Sequence, residues 1–258
     1  MTGRLAYSVR GPGDAPALVL SNSLGTTQEL WSGQLLELTQ RFRVLTYDHP
    51  GHGASGLPEP PCTVEAFAHD LLELLDELGL ERVSLCGVSL GGMVGMALAL
   101  VAPERVERLA LACTSAYLGP PEVWAERATM VRTEGMAAIA DTVVGRWFTP
   151  EFSHEDPEPV ARFRALLATT PPEGYARCCE AVGSWDARDR LSAIAVPTLV
   201  VAGKDDPATP VEHAELIASR IPGARLHVLE RAAHLANVER AEAFTGAVLE
   251  HLGQEVRV

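Results

Sequence analysis

Residues 83–93 read VSLCGVSLGGM. An apolar, partly β-branched run, 83–88, enters Gly87-Val88-Ser89-Leu90-Gly91, and a helix-compatible stretch follows to about Val101. A strand that turns at once into a helix through a serine raises that serine at the tip of a tight bend. Gly87 and Gly91 suit such a bend, because a side chain at either position would clash with the folded-back chain. The pentapeptide alone is weak, since glycine is common here, at 22 of 258 residues. A Gly-Ser-Gly turn needs no chemistry, so the setting must decide. A nucleophile requires an acid and a histidine later in the chain, each following a strand.

The surroundings supply alternating elements. Ala17-Leu18-Val19-Leu20 and Phe42–Tyr47 are short apolar or β-branched runs ended by turn residues, with Trp31, Leu35 and Leu38 at helical spacing between them. Thr63 is an N-cap for a helix whose face carries Phe67, Leu71, Leu74, Leu75 and Leu78, and Gly79 stops it. Strands are expected at 108–113, 196–202 and 225–229, and a last helix at about 239–252. Such alternation implies right-handed βαβ units and a mostly parallel sheet with helices on both faces. Between about 116 and 188 the pattern is helical only, with Pro and Gly breaks. Met136, Ile139, Ala140, Val143 and Trp147 form one apolar stripe there, and Tyr175, Cys178, Cys179 and Val182 another. The expected organisation is therefore an α/β core in two parts, 1–115 and 189–258, with a helical lid inserted at 116–188.

Composition sets limits on partners. The chain is 47% hydrophobic and 21% charged, with a net charge of −13 and no Lys/Arg run. Nucleic acid and anionic membrane surfaces are excluded as expected partners, and no stretch reaches the ~18 consecutive apolar residues of a membrane span. The N-terminal stretch MTGRLAYSVRGPGDAP has no apolar signal-peptide core. Cys62, Cys86, Cys113, Cys178 and Cys179 are odd in number and scattered, which suits small buried residues in a reducing cytoplasm.

Two aspartates follow the 196–202 strand, in Gly203-Lys204-Asp205-Asp206-Pro207. The spacing and the stiffening proline favour Asp206 as the acid. After the 225–229 strand, His234 lies in a loop of small residues, in the order Ser89, Asp206, His234. A serine hydroxyl is a poor nucleophile until a base takes its proton, and an acid must hold that base in the right tautomer. The developing oxyanion needs backbone donors. These are expected from Leu90, just after the nucleophile, and from Ser23 in the Ser21-Asn22-Ser23-Leu24-Gly25 loop, with Leu24 as its substitute. Asp48-His49-Pro50-Gly51-His52 offers an acid and two imidazoles, but no remote ligand cluster completes a metal site, and its glycines read as a tight turn.

With these residues in place the chain resembles the α/β-hydrolase family over essentially its whole length, and within it the 3-oxoadipate enol-lactone hydrolases of bacterial aromatic catabolism. The closer likeness lies in SNSLGT (21–26), YDHPGHGAS (47–55), CGVSLGGM (86–93) and APERVERL (102–109). RWFTPEF (146–152), GYARCCEA (174–181) and AAHLANVE (232–239) extend it. Relatives commonly carry Arg before the Gly-His-Gly turn where this chain has Pro50. The resemblance implies hydrolysis of a small anionic lactone with no metal or cofactor. It also implies a cation for the substrate carboxylate, with Arg127, Arg132 and Arg146 as candidates, and Trp124 and Trp147 as pocket walls. A small-ester esterase, a cofactor-free haloperoxidase, a C–C bond hydrolase and a non-catalytic receptor use the same scaffold, and fold alone does not separate them.

Overall fold

The computed structural model describes residues 5–253. The outermost residues of the expected core segments 1–115 and 189–258 lie outside the described residues. Seven strands form one sheet: β1 (Tyr7–Arg10), β2 (Ala17–Ser21), β3 (Arg43–Tyr47), β4 (Val83–Val88), β5 (Val106–Ala112), β6 (Thr198–Gly203) and β7 (Arg225–Leu229). Their order is β1-β3-β2-β4-β5-β6-β7, with β1 antiparallel to β3 and every other neighbour parallel. The central strands are unbroken apolar runs because both sides are covered; all six residues of β4 are buried.

β1 was not foreseen. It is a four-residue edge strand, YSVR, half of it exposed, so no apolar run marks it. Two boundaries also move for physical reasons. β5 ends before Cys113, which takes a left-handed φ of 43° and turns away after its N–H has donated to the Val201 carbonyl at 2.8 Å. β6 begins after Pro197, which has no N–H to give and only accepts, from Leu109 at 3.0 Å.

The helices are α1 (Leu35–Leu38), α2 (Val64–Glu77), α3 (Leu90–Val101), α4 (Pro121–Glu134), α5 (Ala137–Val144), α6 (Pro150–Glu155), α7 (Pro157–Thr169), α8 (Pro172–Ser184), α9 (Val211–Arg220), α10 (Ala236–Glu239) and α11 (Ala241–Leu252). Thr63 caps α2, accepting from the Ala66 N–H at 3.0 Å, a contact worth about 1 kcal/mol. The apolar face of α2 is buried from Val64 to Leu75. α3 is buried at every residue from Leu90 to Ala99, so it is a core helix rather than an amphipathic one. All five cysteines are free and buried. Among the described residues no helix is long and apolar enough to cross a membrane.

The five helices α4–α8 are inserted between β5 and β6. Proline opens α4, α6, α7 and α8, where its missing N–H costs nothing. The two ends of the insertion meet: Tyr117 pairs with Asp186, and the Ala187 N–H donates to Ala116 at 2.8 Å. α4 packs along α8, and both stripes read from the sequence, Met136 to Trp147 and Tyr175 to Val182, are buried.

Strand order places the site. After β2 the chain steps outward to β3, then crosses back to lay β4 on the other side of β2. The carboxyl ends of β2 and β4 therefore face one crevice at a topological switch point, where open α/β sheets bind ligands.

Candidate active site

Ser89 sits directly at that crevice, between β4 and α3, with φ 56° and ψ −115°. A non-glycine residue in this region is strained, and it persists only when its surroundings hold it. Here the Ser89 N–H donates to the Ala112 carbonyl at 2.9 Å, and the Ser89 carbonyl accepts from Thr114 Oγ1 at 2.6 Å and from the Met93 N–H at 3.1 Å. The backbones close in as the sequence requires. A Cβ on Gly87 would strike the Gly91 carbonyl, and one on Gly91 would strike the Ser21 carbonyl.

The residues expected as acid and base follow β6 and β7. Asp206 is 4% exposed, and each of its oxygens is engaged. Oδ1 accepts from the Ala208 and Thr209 N–H groups at 2.8 and 3.0 Å; Oδ2 accepts from Thr209 Oγ1 at 2.6 Å and from His234 Nδ1 at 2.9 Å. Burial pushes the Asp206 carboxyl up, but His234 and Thr209 together outweigh it and hold the group below the usual carboxylate range. It is therefore ionised at neutral pH. With Nδ1 turned to Asp206, His234 keeps Nε2 for the cleft. Asp205 is exposed, in a turn.

One small cavity, about 60 Å³, gathers Ser23, Leu24, Ser89, Trp124, Arg127, Arg146, Trp147 and His234 around its wall. Leu118, Val143, Tyr175 and Ala208 complete it. The N–H groups of Ser23, Leu24 and Leu90 have no hydrogen-bond partner among the described residues, so they are free to receive a ligand oxygen. Arg127 is half-buried, its guanidinium 4.8 Å from the Trp124 ring centre and beside the Tyr175 hydroxyl. Arg146 is exposed, and neither of these arginines meets a carboxylate among the described residues. Arg132 lies elsewhere. It binds Glu173 at 2.7 Å and Glu180 at 2.6 Å on the α4–α8 surface, and its charge is already neutralised there.

Sequence reasoning missed Tyr175, Leu118, Val143, Ala208 and Thr209. Tyr175 was hidden within an apolar stripe. Thr209 had a signal, three residues after Asp206 where a hydroxyl can turn back onto the acid. The Asp48–His52 run is a clasp for the β2 loop. Asp48 accepts from the Gln28 N–H at 2.9 Å and the Ala54 N–H at 3.2 Å; His49 donates to Asn22; His52 Nε2 accepts from the Gly25 N–H at 3.0 Å.

The chain is similar to known proteins over almost its whole length. The chain is 41% identical to 3-oxoadipate enol-lactonase 2 of Acinetobacter baylyi over 95% of its own length and 91% of that protein's. A hydrolase from Pseudomonas aeruginosa superposes with a TM-score of 0.94 at 49% identity, covering 98% of this chain and 95% of that one. The enol-lactonase of Burkholderia xenovorans superposes at 0.95 with 44% identity, over 98% and 97% of the two chains. Residues 16–241 match the model of the alpha/beta hydrolase fold, and on the sheet order, the strained Ser89 turn and these likenesses together, the chain belongs to the α/β-hydrolase family.

Proposed function

We propose that the protein hydrolyses 3-oxoadipate enol-lactone to 3-oxoadipate, in the cytoplasm, as a step of aromatic-compound catabolism. The observation that carries this reading is the convergence on one small cavity of Ser89, the Asp206-bound His234 and Arg127, which meets no carboxylate among the described residues. The likeness to enol-lactonases from two organisms supports the choice of substrate.

Ser89 Oγ attacks the lactone carbonyl while His234 Nε2 takes its proton. The carbonyl oxygen becomes an oxyanion received by the Leu90 N–H and by the Ser23 or Leu24 N–H. Where measured in other enzymes, one such donor is worth ~3–4 kcal/mol. The ring C–O bond then breaks, and the ring oxygen leaves as an enol that takes the proton back from His234. An enolate is a better leaving group than an alkoxide, so this protonation is less demanding than in amide cleavage. Water, deprotonated by His234, attacks the acyl-enzyme and frees Ser89 with its proton; the enol tautomerises to the ketone. No step calls on a metal or a cofactor.

The substrate carboxylate needs a cation, because a desolvated carboxylate without one costs several kcal/mol. Arg127 fills this role better than Arg146, since it is partly buried against Trp124 and its attraction is less screened. Helices α4–α8 act as the lid that excludes bulk water from the acyl-enzyme.

The test is the ultraviolet loss of enol-lactone, generated in situ from muconolactone, by wild type and Ser89→Ala. Rapid decay that falls at least about a thousandfold in the mutant is expected. Wild-type decay no faster than spontaneous hydrolysis would remove the lactonase assignment. Ser89-dependent cleavage of 4-nitrophenyl acetate would then mark a general esterase.

A further inference from the structure

The His49 imidazole is fully buried, lies outside the cavity wall and has no part in the chemistry above. Its Nε2 is 2.8 Å from the Asn22 carbonyl oxygen. A carbonyl can only accept, so the ring carries its proton on Nε2. Nδ1 meets no hydrogen-bond partner among the described residues. Burial, reinforced by the neighbouring His52, pushes the imidazole down to about 3, so it stays neutral throughout the working range. A methionine or leucine would fill this space without stranding a polar nitrogen. Packing alone does not account for a histidine here.

The Asn22 carbonyl explains it. The same oxygen accepts from the Gly91 N–H at 2.9 Å, one peptide beyond the Leu90 N–H. It is thus the contact at which the β2 loop is joined to the Ser89 turn. The Ser23 N–H belongs to the same peptide as this carbonyl and the Leu24 N–H to the next one, and both residues border the cavity. A peptide is planar, with its C=O and N–H opposed. Fixing the Asn22 oxygen toward Gly91 and His49 therefore aims the Ser23 N–H the opposite way. The Asn22 side chain is pinned as well, donating to the Tyr47 carbonyl at 2.6 Å and accepting from Trp31 Nε1 at 2.9 Å. Downstream, the Ser23 carbonyl accepts from Thr26 Oγ1 at 2.8 Å.

We infer that His49 is a positioning residue for the oxyanion site: its Nε2–H holds the Asn22 carbonyl against the Gly91 N–H, and so sets the spacing between the Leu90 N–H and the loop N–H groups. This rests on the hydrolytic reading of the same cleft. The effect belongs to the transition state, where the oxygen is charged, and not to ground-state binding.

Two substitutions separate donation from packing. Gln at position 49 can return an N–H to about the place of Nε2, whereas Met fills the space with no donor. His49→Met is expected to lose ~10–100-fold in kcat, part of the 10²–10³ reported for deleting a whole donor, with KM changed less than about threefold. Its affinity for a trifluoromethyl ketone, which forms an anionic hemiketal on Ser89, should fall in parallel. His49→Gln should recover most of both losses. A Met variant with wild-type kcat, a Gln variant as impaired as Met, or a loss confined to KM overturns the assignment. Should the Met variant fail to fold, ¹⁵N-resolved imidazole spectra of the wild type decide: a protonated Nε2 and a bare Nδ1 from pH 5 to 8 support it, and a protonated Nδ1 overturns it. Ser89→Ala is assayed alongside on the enol-lactone and on 4-nitrophenyl acetate. If it keeps turnover on both, the nucleophile reading falls and takes this one with it; if Ser89 is essential while His49→Met is unimpaired, only the role of His49 falls.

Discussion

Arg127 and Arg132 lie five positions apart on α4 and were equal candidates in the sequence, yet they do opposite things. Arg132 is held between Glu173 and Glu180 at the surface, while Arg127 faces the cavity with no carboxylate partner among the described residues. Losing a charged hydrogen bond costs about 1.5–3 kcal/mol, so Arg127→Ala should raise KM for the anionic lactone roughly 10–150-fold. Steady-state kinetics on the lactone and on uncharged 4-nitrophenyl acetate check this: a matching rise for the neutral ester would show that Arg127 shapes the pocket instead of pairing with charge. Arg132→Ala should leave both substrates alone and lower stability by less than about 1 kcal/mol, as exposed pairs do. At this scale Ser89, Asp206 and His234 stood out because each lies within five residues of the end of a strand, in a fixed order. The fate of the arginines did not, since it depends on Glu173 and Glu180, more than 40 residues away on α8.

The elements matter through what they force together. Where β4 turns into α3, Gly91 lies against the Ser21 carbonyl, so an alanine there must push the β2 loop away. Gly91→Ala is expected to cost about 1–3 kcal/mol in stability, as overpacking does, and to lower kcat more than a hundredfold by displacing the proposed oxyanion donors. Urea titration and initial rates measure the two effects. A variant with normal kcat would mean that the loop follows the helix without harm. The insertion is joined to the His234 loop in a comparable way. The Leu235 N–H donates to the Trp147 carbonyl at 2.9 Å, and the buried Glu239 carboxylate accepts from the Ala233 N–H at 2.8 Å and from the Thr149 hydroxyl. Periodicity located the helices on both sides of these contacts, but it carries no information about which loops they bridge.

For the whole molecule, the buried histidines set the direction of the pH response. Burial is the leading cause that pushes His49 down to about 3, and His52 and His251 each to about 4. Their folded values lie below the ordinary 6.5, so below that pH the unfolded chain binds protons that the folded chain refuses. The stability they allow is complete above about pH 7 and is lost as pH falls from 6.5 toward 4. Asp206, held below the ordinary carboxylate range, adds a further loss at still lower pH. Asp70 opposes this: burial and the nearby Glu73 raise it to about 6, so its contribution fades as pH rises through 6. It is one partly exposed group against three imidazoles, and the histidines dominate. Melting temperatures at pH 7.5, 6.5, 5.5 and 4.5 should fall progressively below 6.5; a flat profile down to pH 5 would refute this.

The sequence by itself determined the alternation of strands and helices, the helical insertion and the Ser89 turn, because each is written in residues near one another, and it set Ser89, Asp206 and His234 in order behind successive strands. Thr63, Gly79 and the two insertion stripes also act locally, through capping and periodicity. Only the tertiary structure decided that β1 joins the sheet edge, that Arg127 and not Arg132 meets the cavity, and that His49 reaches across to Asn22. Each of these depends on groups brought together from separate parts of the chain, 27 positions apart for His49 and Asn22. A linear pattern records what a residue is, whereas its partner is set by the crossover that lays β4 beside β2 and by the packing of the inserted helices.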